Sequence, residues 1–175
     1  LQPYIVIPMA GHGKRFKDAG MSKPKFMIEV KNKTLFEWSL DSLPVEISKK
    51  IIFVCLEEHE KEFNVSKFIK NIMTKKYPKI NYESIYLEKT TRGQVETVLH
   101  AKELIDSESP LIIYNIDTHF VSTRLKSKIF TLKNQNIDGV LGCFTSYDEN
   151  LSFVELNEKG FVKKVKEKEK ISNLA

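Results

Sequence analysis

Glycine and basic residues near the amino terminus could together hold a group that carries several negative charges. Residues 8–16 read Pro-Met-Ala-Gly-His-Gly-Lys-Arg-Phe, and a Pro-Lys pair follows at 24–25. Gly11 and Gly13 have no Cβ, so the backbone can turn sharply there and a ligand can approach its N–H groups. Consecutive N–H groups in such a turn form a concave anion site, to which Arg15 and Lys25 add positive charge. This combination suits a triphosphate.

The spacing of the glycines fits neither of two common phosphate-binding loops. A dinucleotide-binding fingerprint needs a third glycine where Phe16 stands. A P-loop needs Ser or Thr after its Gly-Lys pair and a glycine at the place of Pro8, whereas Arg15 follows Lys14. An ordinary glycine turn on a basic surface is the alternative interpretation.

A carboxylate that follows the most apolar predicted strand, residues 110–116, is a candidate metal ligand. Asp117 would be costly to bury there unless it meets a cation or a hydrogen-bond donor. Magnesium prefers oxygen ligands and usually takes one or two carboxylates together with phosphate and water. The alternative is that Asp117 caps the following turn or helix.

Alternating strands and helices must position these residues. Apolar, β-branched runs predict strands at 4–7, 25–30, 50–56, 80–87 and 110–116, and strand-like segments at 139–144, 151–156 and 161–165. The predicted helices are one capped by Thr34 and Glu37, one across 63–73, one over 93–101 with Val95, Val98 and Leu99 facing inward, and one around 125–132. Such alternation is typical of an α/β fold with a mostly parallel sheet, in which ligands bind beyond the carboxyl ends of the strands. The loops 9–16 and 88–93 and Asp117 should therefore meet at one edge.

The pattern Gly-x-Gly-x-Arg-Phe followed by Pro-Lys closely resembles the signature of the sugar-phosphate nucleotidyltransferase superfamily. Its members join a nucleoside triphosphate to a phosphorylated small molecule. The resemblance implies a Rossmann-like three-layer α/β/α fold with a mostly parallel mixed sheet, of the GT-A-like nucleotide-diphospho-sugar transferase type. It covers almost the whole chain, so we expect residues 1–175 to form a single nucleotidyltransferase domain that lacks its C-terminal elements.

The resemblance also implies roles for the residues of the first loop and for the candidate metal ligand. Arg15 and Lys25 would be catalytic, with Lys25 bridging the α-phosphate and the incoming oxygen. Asp117 would hold Mg²⁺, and a second metal carboxylate is expected beyond Ala175. The triphosphate would be bound by Met9, Ala10, Gly11, Gly13, Lys14 and Arg15.

Two further residues match the part of the superfamily's site that closes on the base and ribose. Gly93 matches the glycine of that stretch, and Glu88 falls where base-reading side chains are found. A carboxylate there would accept a hydrogen bond from the cytosine N4 amine, which favours CTP. A solvated Glu88 is the alternative.

The acceptor site is matched only near the end of the chain. Lys168 fits the lysine that holds the acceptor phosphate, with Lys170 as the alternative because the local sequence repeats Glu-Lys. Leu151-Ser152 stands where the sugar transferases usually have Tyr-Gly, which points to an acceptor other than a sugar. The nearest branch is the cytidylyltransferases for phosphocholine and phosphoglutamine, which modify bacterial surface polymers.

Composition excludes several other classes of protein. The net charge of +5 comes largely from scattered lysine pairs without an aromatic and basic stripe, so we expect no nucleic-acid partner. No apolar run approaches the length of a membrane span. Cys55 and Cys143 lie in apolar runs and are interpreted as reduced core thiols, which favours a cytoplasmic protein.

Two other functions remain open at this level. A glycosyltransferase of similar architecture would bind a nucleotide-sugar through a metal held by Asn115-x-Asp117, but it would not need the glycine loop or Lys25. A non-catalytic nucleotide-binding domain would keep the loop without turnover. The acceptor and the oligomeric state are left open by the sequence.

Overall fold

The computed structural model describes residues 2–106, 108–132 and 137–175, without the side chains of Arg15 and Leu132. The chain divides into two compact units, Leu1–Ile129 and Phe130–Ala175. In the first unit the strands are β1 (Tyr4–Pro8), β2 (Glu29–Val30), β3 (Lys33–Thr34), β4 (Lys50–Leu56), β5 (Tyr82–Leu87) and β6 (Leu111–Ile113). The helices are α1 (Lys14–Asp18), α2 (Leu35–Asp41), α3 (Glu57–Phe63), α4 (Val65–Lys76), α5 (Gln94–Leu99) and α6 (Leu125–Leu132), which crosses into the second unit.

Four of these strands form one parallel sheet in the order β5-β4-β1-β6. From β1 the chain crosses to β4 and then outward to β5, before it returns to the other side of β1 as β6. The strand order therefore reverses between β1 and β6. In parallel sheets such a switch point leaves a crevice at the carboxyl ends of the strands.

Helices cover both faces of this sheet because β1 and β4 are apolar on both faces. On one face Ile5 and Ile7 pack in a core that includes Phe36 of α2 and Ile69 of α4. On the other face the alternate residues, such as Val6, join a second core with Val98 of α5 and Ala101 after it. The result is the three-layer α/β/α arrangement with a mostly parallel sheet that the sequence predicts.

Several predicted elements are confirmed closely. Strand β4 has the predicted bounds, residues 50–56. Helix α2 begins with the predicted capping box, since the Thr34 hydroxyl accepts from the Glu37 N–H while the Glu37 carboxylate accepts from the Thr34 N–H. Cys55 is buried as expected, and burial raises the pKa of its thiol to about 12, so the thiol is unreactive near neutral pH.

The strand predicted at 25–30 is wrong. Lys25–Met27 form a single 3-10 turn instead, and only Glu29–Val30 pair as a short strand. Pro24 holds φ at −54° before the turn, and the turn directs Phe26 and Met27 together into the core, whereas a strand would place them on opposite faces.

Two other predictions need correction in the first unit. The helix predicted across 63–73 is divided between α3 and α4 at Asn64, which adopts a left-handed conformation with φ 52°. Helix α5 buries Val98 as predicted, but Val95 and Leu99 are exposed. A six-residue helix that packs with one face on a sheet buries a narrow stripe, which does not reach both of these positions.

The second unit contains an antiparallel hairpin of β7 (Ser152–Leu156) and β8 (Val162–Glu167). Gly160, at φ +79°, turns the chain between the strands. The strand predicted at 139–144 does not form, and next to it Thr145 makes an isolated bridge with Leu174. Cys143 is exposed, so its interpretation as a core thiol is wrong. Among the described residues, no helix is long and apolar enough to cross a membrane.

Candidate active site

The loop after β1 is held at both of its ends by the fold. The N–H of Met9 donates to the Val54 carbonyl at 2.7 Å, and the Met9 side chain is buried in the core, so both groups are already engaged within the fold. Gly13 has φ +61° and its carbonyl accepts from the Phe16 N–H at 2.8 Å as α1 begins. The left-handed conformation explains why glycine suits this position. Gly11 is exposed between these anchors.

Two basic candidates lie at the start of α1. The Lys14 side chain is exposed. The side chain of Arg15, predicted to be catalytic, lies outside the described part of the structure.

The segment that carries Lys25 lies directly against this loop. A Cβ built on Gly13 would lie 3.9 Å from the Cβ of Lys25. Burial of Phe26 and Met27 anchors the 3-10 turn and leaves Lys25 at the surface of the core. The ammonium group of Lys25 donates to Oδ2 of Asp117 at 2.6 Å. Two groups that are 92 residues apart in the sequence are thus joined at the switch point of the sheet.

Asp117 belongs to a turn, and the predicted strand does not reach it. Strand β6 ends at Ile113, and the turn at 115–118 is closed by the Thr118 N–H, which donates to the Asn115 carbonyl at 3.4 Å. The hydroxyl of Tyr114 donates to the Thr118 carbonyl at 2.8 Å. Short-range hydrogen bonds therefore replace sheet pairing as the support of the Asp117 carboxylate.

Sequence reasoning did not find the residue that supports this turn from outside. Ser39 of α2 is fully buried, and its hydroxyl donates to the carbonyls of Asn115 at 3.3 Å and Thr118 at 2.9 Å, one on each side of Asp117. Ser42, one turn later, accepts from the N–H of Phe120 at 3.0 Å. The sequence carried only a weak signal of this support. Ser39 and Ser42 are three positions apart and share a helix face that was expected to be apolar.

Helix α2 can support the turn because it is itself held in place. Asp41, its last residue, accepts hydrogen bonds from Lys33 at 2.8 Å, from Lys76 at 3.1 Å and from the hydroxyl of Tyr77 at 2.6 Å. Burial acts to raise the pKa of Asp41, but these three donors outweigh it and lower the pKa below its usual value. The carboxylate therefore stays ionised and joins α2 to the end of α4.

A second support lies between the loop and the Lys25 segment. The ring of His59 in α3 lies 6.3 Å from the ring of His12 and 6.0 Å from the ring of Phe26. His59 is 2% exposed, and neither ring nitrogen has a hydrogen-bond partner within the described residues. Burial lowers the pKa of His59, so the ring is neutral at pH 7 and packs as an aromatic side chain.

A cleft of about 360 Å³ opens at the same edge of the sheet. It is lined from the β1 side by Ala10 and Gly11 and from the other side by Gly93, Gln94 and Asn115. The side-chain amide of Gln94 donates to the side-chain oxygen of Asn115. The structure thus brings together the glycine loop and Gly93 in one cleft. The ion pair between Lys25 and Asp117 lies beside this cleft.

Two predicted site residues do not line this cleft. Glu88 directly follows β5 and is exposed, without a hydrogen bond to any described residue. Lys168 lies in the second unit, directly after β8, with its side chain exposed and its backbone at φ 54°. Both residues remain predictions as ligand contacts.

Comparison with known proteins shows the family to which the chain belongs. The nucleotidyl transferase family profile matches residues 5–174. The chain belongs to the nucleotidyl transferase family. This confirms the resemblance to the sugar-phosphate nucleotidyltransferase superfamily. Among curated proteins, none matches the sequence significantly.

Solved structures agree with this assignment to the nucleotidyl transferase family. A nucleoside-diphosphate-sugar pyrophosphorylase from Vibrio cholerae RC9 is 31% identical, with a TM-score of 0.76 over 97% of this chain and 69% of its own. The inositol-1-phosphate CTP transferase from T. maritima is 16% identical, with a TM-score of 0.72 over 99% of this chain and 67% of its own. A UDP-glucose pyrophosphorylase in complex with UDP-glucose is 17% identical, with a TM-score of 0.75 over 100% and 74%. At these two lower identities the likeness shows the shared fold.

The residues of this nucleotidyl transferase fit a divalent cation in one particular way. Among the described residues, no group of three or more His, Cys, Asp or Glu side chains could hold a metal ion. Asp117 offers a partly exposed carboxylate beside the cleft, with Oδ2 already on Lys25. A single carboxylate is compatible with magnesium, which usually takes one or two carboxylates and completes its shell with phosphate and water.

Proposed function

We propose that this nucleotidyl transferase is a magnesium-dependent cytidylyltransferase. It transfers a cytidylyl group from CTP to a phosphorylated small molecule and releases pyrophosphate. The observation that carries the proposal is the convergence of the glycine loop, Lys25 and Asp117 at the switch point of the parallel sheet. A cation, a carboxylate and a row of backbone amides at one crevice match the charge distribution of a metal-bound triphosphate.

The proposed reaction is an in-line displacement at the α-phosphorus. A phosphate oxygen of the acceptor forms the new bond, and the bond between the α-phosphorus and the oxygen bridging to the β-phosphate breaks. Pyrophosphate leaves with that electron pair. The acceptor phosphate is largely ionised near pH 7, since its second pKa is about 6, so no general base is required. Catalysis then depends on positioning and charge stabilisation.

Each residue of the site has a role in this proposal. Amides from Gly11 to Gly13 and the Arg15 side chain hold the triphosphate, and Lys25 stabilises the charge that develops at the α-phosphate. Asp117 would hold magnesium, which neutralises phosphate charge when bound. Lys168, or Lys170, would bind the acceptor phosphate.

The wider context follows from the resemblance. We propose that residues 1–175 belong to one nucleotidyltransferase domain, that the protein acts in the cytoplasm and that its product serves bacterial surface or capsule polysaccharide modification. The acceptor would then be a phosphorylated amine or amide compound of the phosphocholine or phosphoglutamine type.

A coupled assay of pyrophosphate release tests the reaction. The four common nucleoside triphosphates are each combined with magnesium and with phosphorylated sugars, choline, glutamine and glycerol. We expect release with CTP and one acceptor, and we expect Lys25→Ala to reduce it strongly. Tight triphosphate binding without release for any acceptor would instead favour the non-catalytic domain. Hydrolysis or transfer from a nucleotide-sugar without use of free triphosphate would favour the glycosyltransferase.

Substitution of Glu88 tests the proposed preference for CTP over UTP. If the carboxylate accepts from the cytosine amine, UTP would place its O4 acceptor against it, which costs about 1–3 kcal/mol, or roughly ten- to a hundred-fold in affinity. Glu88→Gln should narrow that gap, because an amide presents either a donor or an acceptor. Titration calorimetry of both proteins with CTP and UTP measures the four affinities, and Glu83→Gln, at the opposite end of β5, is the control. Equal affinity for CTP and UTP in the wild type would remove Glu88 from the base site.

A further inference from the structure

A second cavity, of about 360 Å³, lies in the first unit beside the segment that carries Lys25. Lys23 and Met27 line it from that segment, Glu29 lines it from β2, and residues around the junction of α3 and α4 complete the lining. Among the described residues, none lines both this cavity and the cleft at the switch point of the sheet. The proposed reaction therefore gives this cavity no role.

The less exposed residues of this lining are apolar. Met27 is buried, and Phe63 and Phe68 are each partly buried against the core of that face of the sheet. The ring of Phe68 packs edge-on against the buried ring of Phe36, with 5.4 Å between the ring centroids. An apolar floor of fixed shape with a few polar groups at its border is typical of a small-molecule site.

Two ammonium groups at the border of this cavity have no partner within the described residues. Lys23 and Lys67 are exposed, and neither side chain forms a hydrogen bond or an ion pair there. Lys61, by comparison, pairs with Glu57 at 3.0 Å. Glu29 lines the same cavity but pairs with neither of the two lysines. The border therefore carries more positive than negative charge, which suits an anion.

A phosphate monoester suits two lysines better than a carboxylate does. Its charge is about −1.5 to −2 near pH 7, and it has three strong acceptor oxygens, so it can accept from two ammonium groups on flexible stems. The Glu29 carboxylate would repel a ligand that is negatively charged along its whole length. The ligand is therefore expected to carry its charge at one end and an apolar body at the other, where Phe63 and Phe68 lie.

A ligand in this cavity would touch the segment that positions Lys25. Lys23 lies two residues before Lys25, and Met27 lies two residues after it. The intervening Pro24 and Phe26 are buried, so the segment is already anchored between these contacts. A ligand that holds Lys23 and packs on Met27 would further restrict the backbone on both sides of Lys25.

We propose that this cavity is an effector site for a small organic phosphate. The phosphate binds to Lys23 and Lys67, and the apolar body packs against Met27, Phe63 and Phe68. Occupancy fixes the turn of Lys25 and so favours binding of the triphosphate. The binding site stands apart from the proposed function, whereas its effect on triphosphate binding rests on it.

Calorimetric titration with phenyl phosphate tests the site, because this probe joins a phosphate to a planar apolar body. Inorganic phosphate, which lacks that body, should bind at least about ten-fold more weakly. Lys67→Met should lower the affinity for phenyl phosphate about five-fold. Lys70→Met is the matched control, because it removes the same charge from the exposed surface of the same helix and does not line the cavity. Its affinity should stay within about two-fold of the wild type.

Three results of these titrations would overturn the proposal. The first is no binding of phenyl phosphate up to about 10 mM. The second is an equal loss in Lys67→Met and Lys70→Met, which would show only a general effect of net charge. The third is equal affinity for inorganic phosphate and phenyl phosphate, which would leave the apolar floor without a role.

The effect on Lys25 is measured by titrating CTP with magnesium, in the presence and absence of saturating phenyl phosphate. The probe should tighten CTP binding about five-fold in the wild type, and this gain should disappear in Lys67→Met. Unchanged or weakened CTP binding in the wild type would overturn the effector role. A change that persists in Lys67→Met would place the probe elsewhere and overturn it as well. Absence of binding by any of the four triphosphates would instead overturn the proposed function, and the comparison of Lys67→Met with Lys70→Met would still decide the site.

Discussion

Strands β1 and β6 are parallel neighbours that both deliver site residues at their carboxyl ends, yet they are supported in different ways. β1 has five residues, lies between β4 and β6 and is buried on both faces. β6 has three residues and lies at one edge of the four-stranded sheet. Ile5 of β1 is 0% exposed, whereas Ile113 of β6 is 45% exposed.

The two site segments that follow these strands differ accordingly. The loop after β1 presents mainly backbone N–H groups, and the buried strand and the glycine conformations are enough to place them. The turn after β6 presents a side chain, Asp117, and its position depends on Ser39 from another element and on Lys25. One half of the candidate site is thus built by local structure, and the other half by contacts that are distant in sequence.

The largest expected effect on turnover is at Asp117, the side chain presented by the turn after β6. Asp117→Asn keeps the shape of the residue and removes its charge, so turnover should fall by about 10²- to 10³-fold, as when one preorganised charge stabiliser is lost. The melting temperature without metal should change little, because the carboxylate is partly exposed. Pyrophosphate release and thermal melting measure the two effects. Earlier unfolding with undiminished activity per folded molecule would make Asp117 only a cap.

The next largest effect is expected for truncation of one isoleucine side chain in β1, compared with the same truncation in β6. Ile5→Ala removes a fully buried side chain and should lower the free energy of unfolding by about 2–5 kcal/mol. Ile113→Ala should lower it by about 1 kcal/mol or less, since nearly half of that side chain is in contact with solvent. Urea denaturation measures both. Similar losses at the two positions would contradict the contrast between a buried and an edge strand.

The backbone half of the site is tested at its glycines. Gly13→Ala forces a Cβ into φ +61° and should destabilise the protein by about 1–2 kcal/mol, although the Cβ itself has room. Gly11→Ala is the control, because a Cβ there meets nothing within 4 Å and the backbone is not left-handed. Gly11→Ala should therefore keep its stability and lose triphosphate affinity, if the ligand approaches the backbone at this point. Full stability of Gly13→Ala in urea denaturation would refute the conformational argument.

The smallest expected effect is at Ser39. Ser39→Ala removes the hydroxyl that donates to both sides of the Asp117 turn and should cost about 1 kcal/mol of stability. Turnover should fall as well, because the carboxylate loses its support. Ser48→Ala is the matched control: its buried hydroxyl donates to the Val45 carbonyl at 2.7 Å, away from the site. A comparable loss of turnover in both variants would show that Ser39 has no specific role.

The elements that sequence reasoning predicted well are those whose signals are local. Strand β4 and the capping box at Thr34 follow from an apolar run and from residues three positions apart. The glycine loop and the Pro-Lys pair resemble the signature of the family that the profile confirms over residues 5–174.

The incorrect predictions share a dependence on tertiary packing. Residues 25–30 have a strand-like composition, but burial of Phe26 and Met27 on the same side requires a turn. Val95 lies three residues before Val98 and four before Leu99, which is helical spacing, yet the sheet covers only the Val98 side of α5. Cys143 lies in an apolar run that does not pair as a strand.

The sequence by itself determined the chemistry that this protein can offer: a glycine turn, a lysine after a proline and a carboxylate beyond an apolar strand. These features depend only on residue types and on short spacings in the sequence, so any fold with the same helices and strands would have them. Only the tertiary structure decided that Lys25 and Asp117 form an ion pair and that Ser39 supports the turn that carries Asp117. These contacts span 92 and about 80 residues of sequence. They exist because the order β5-β4-β1-β6 brings the ends of β1 and β6 side by side, and no local pattern encodes strand order.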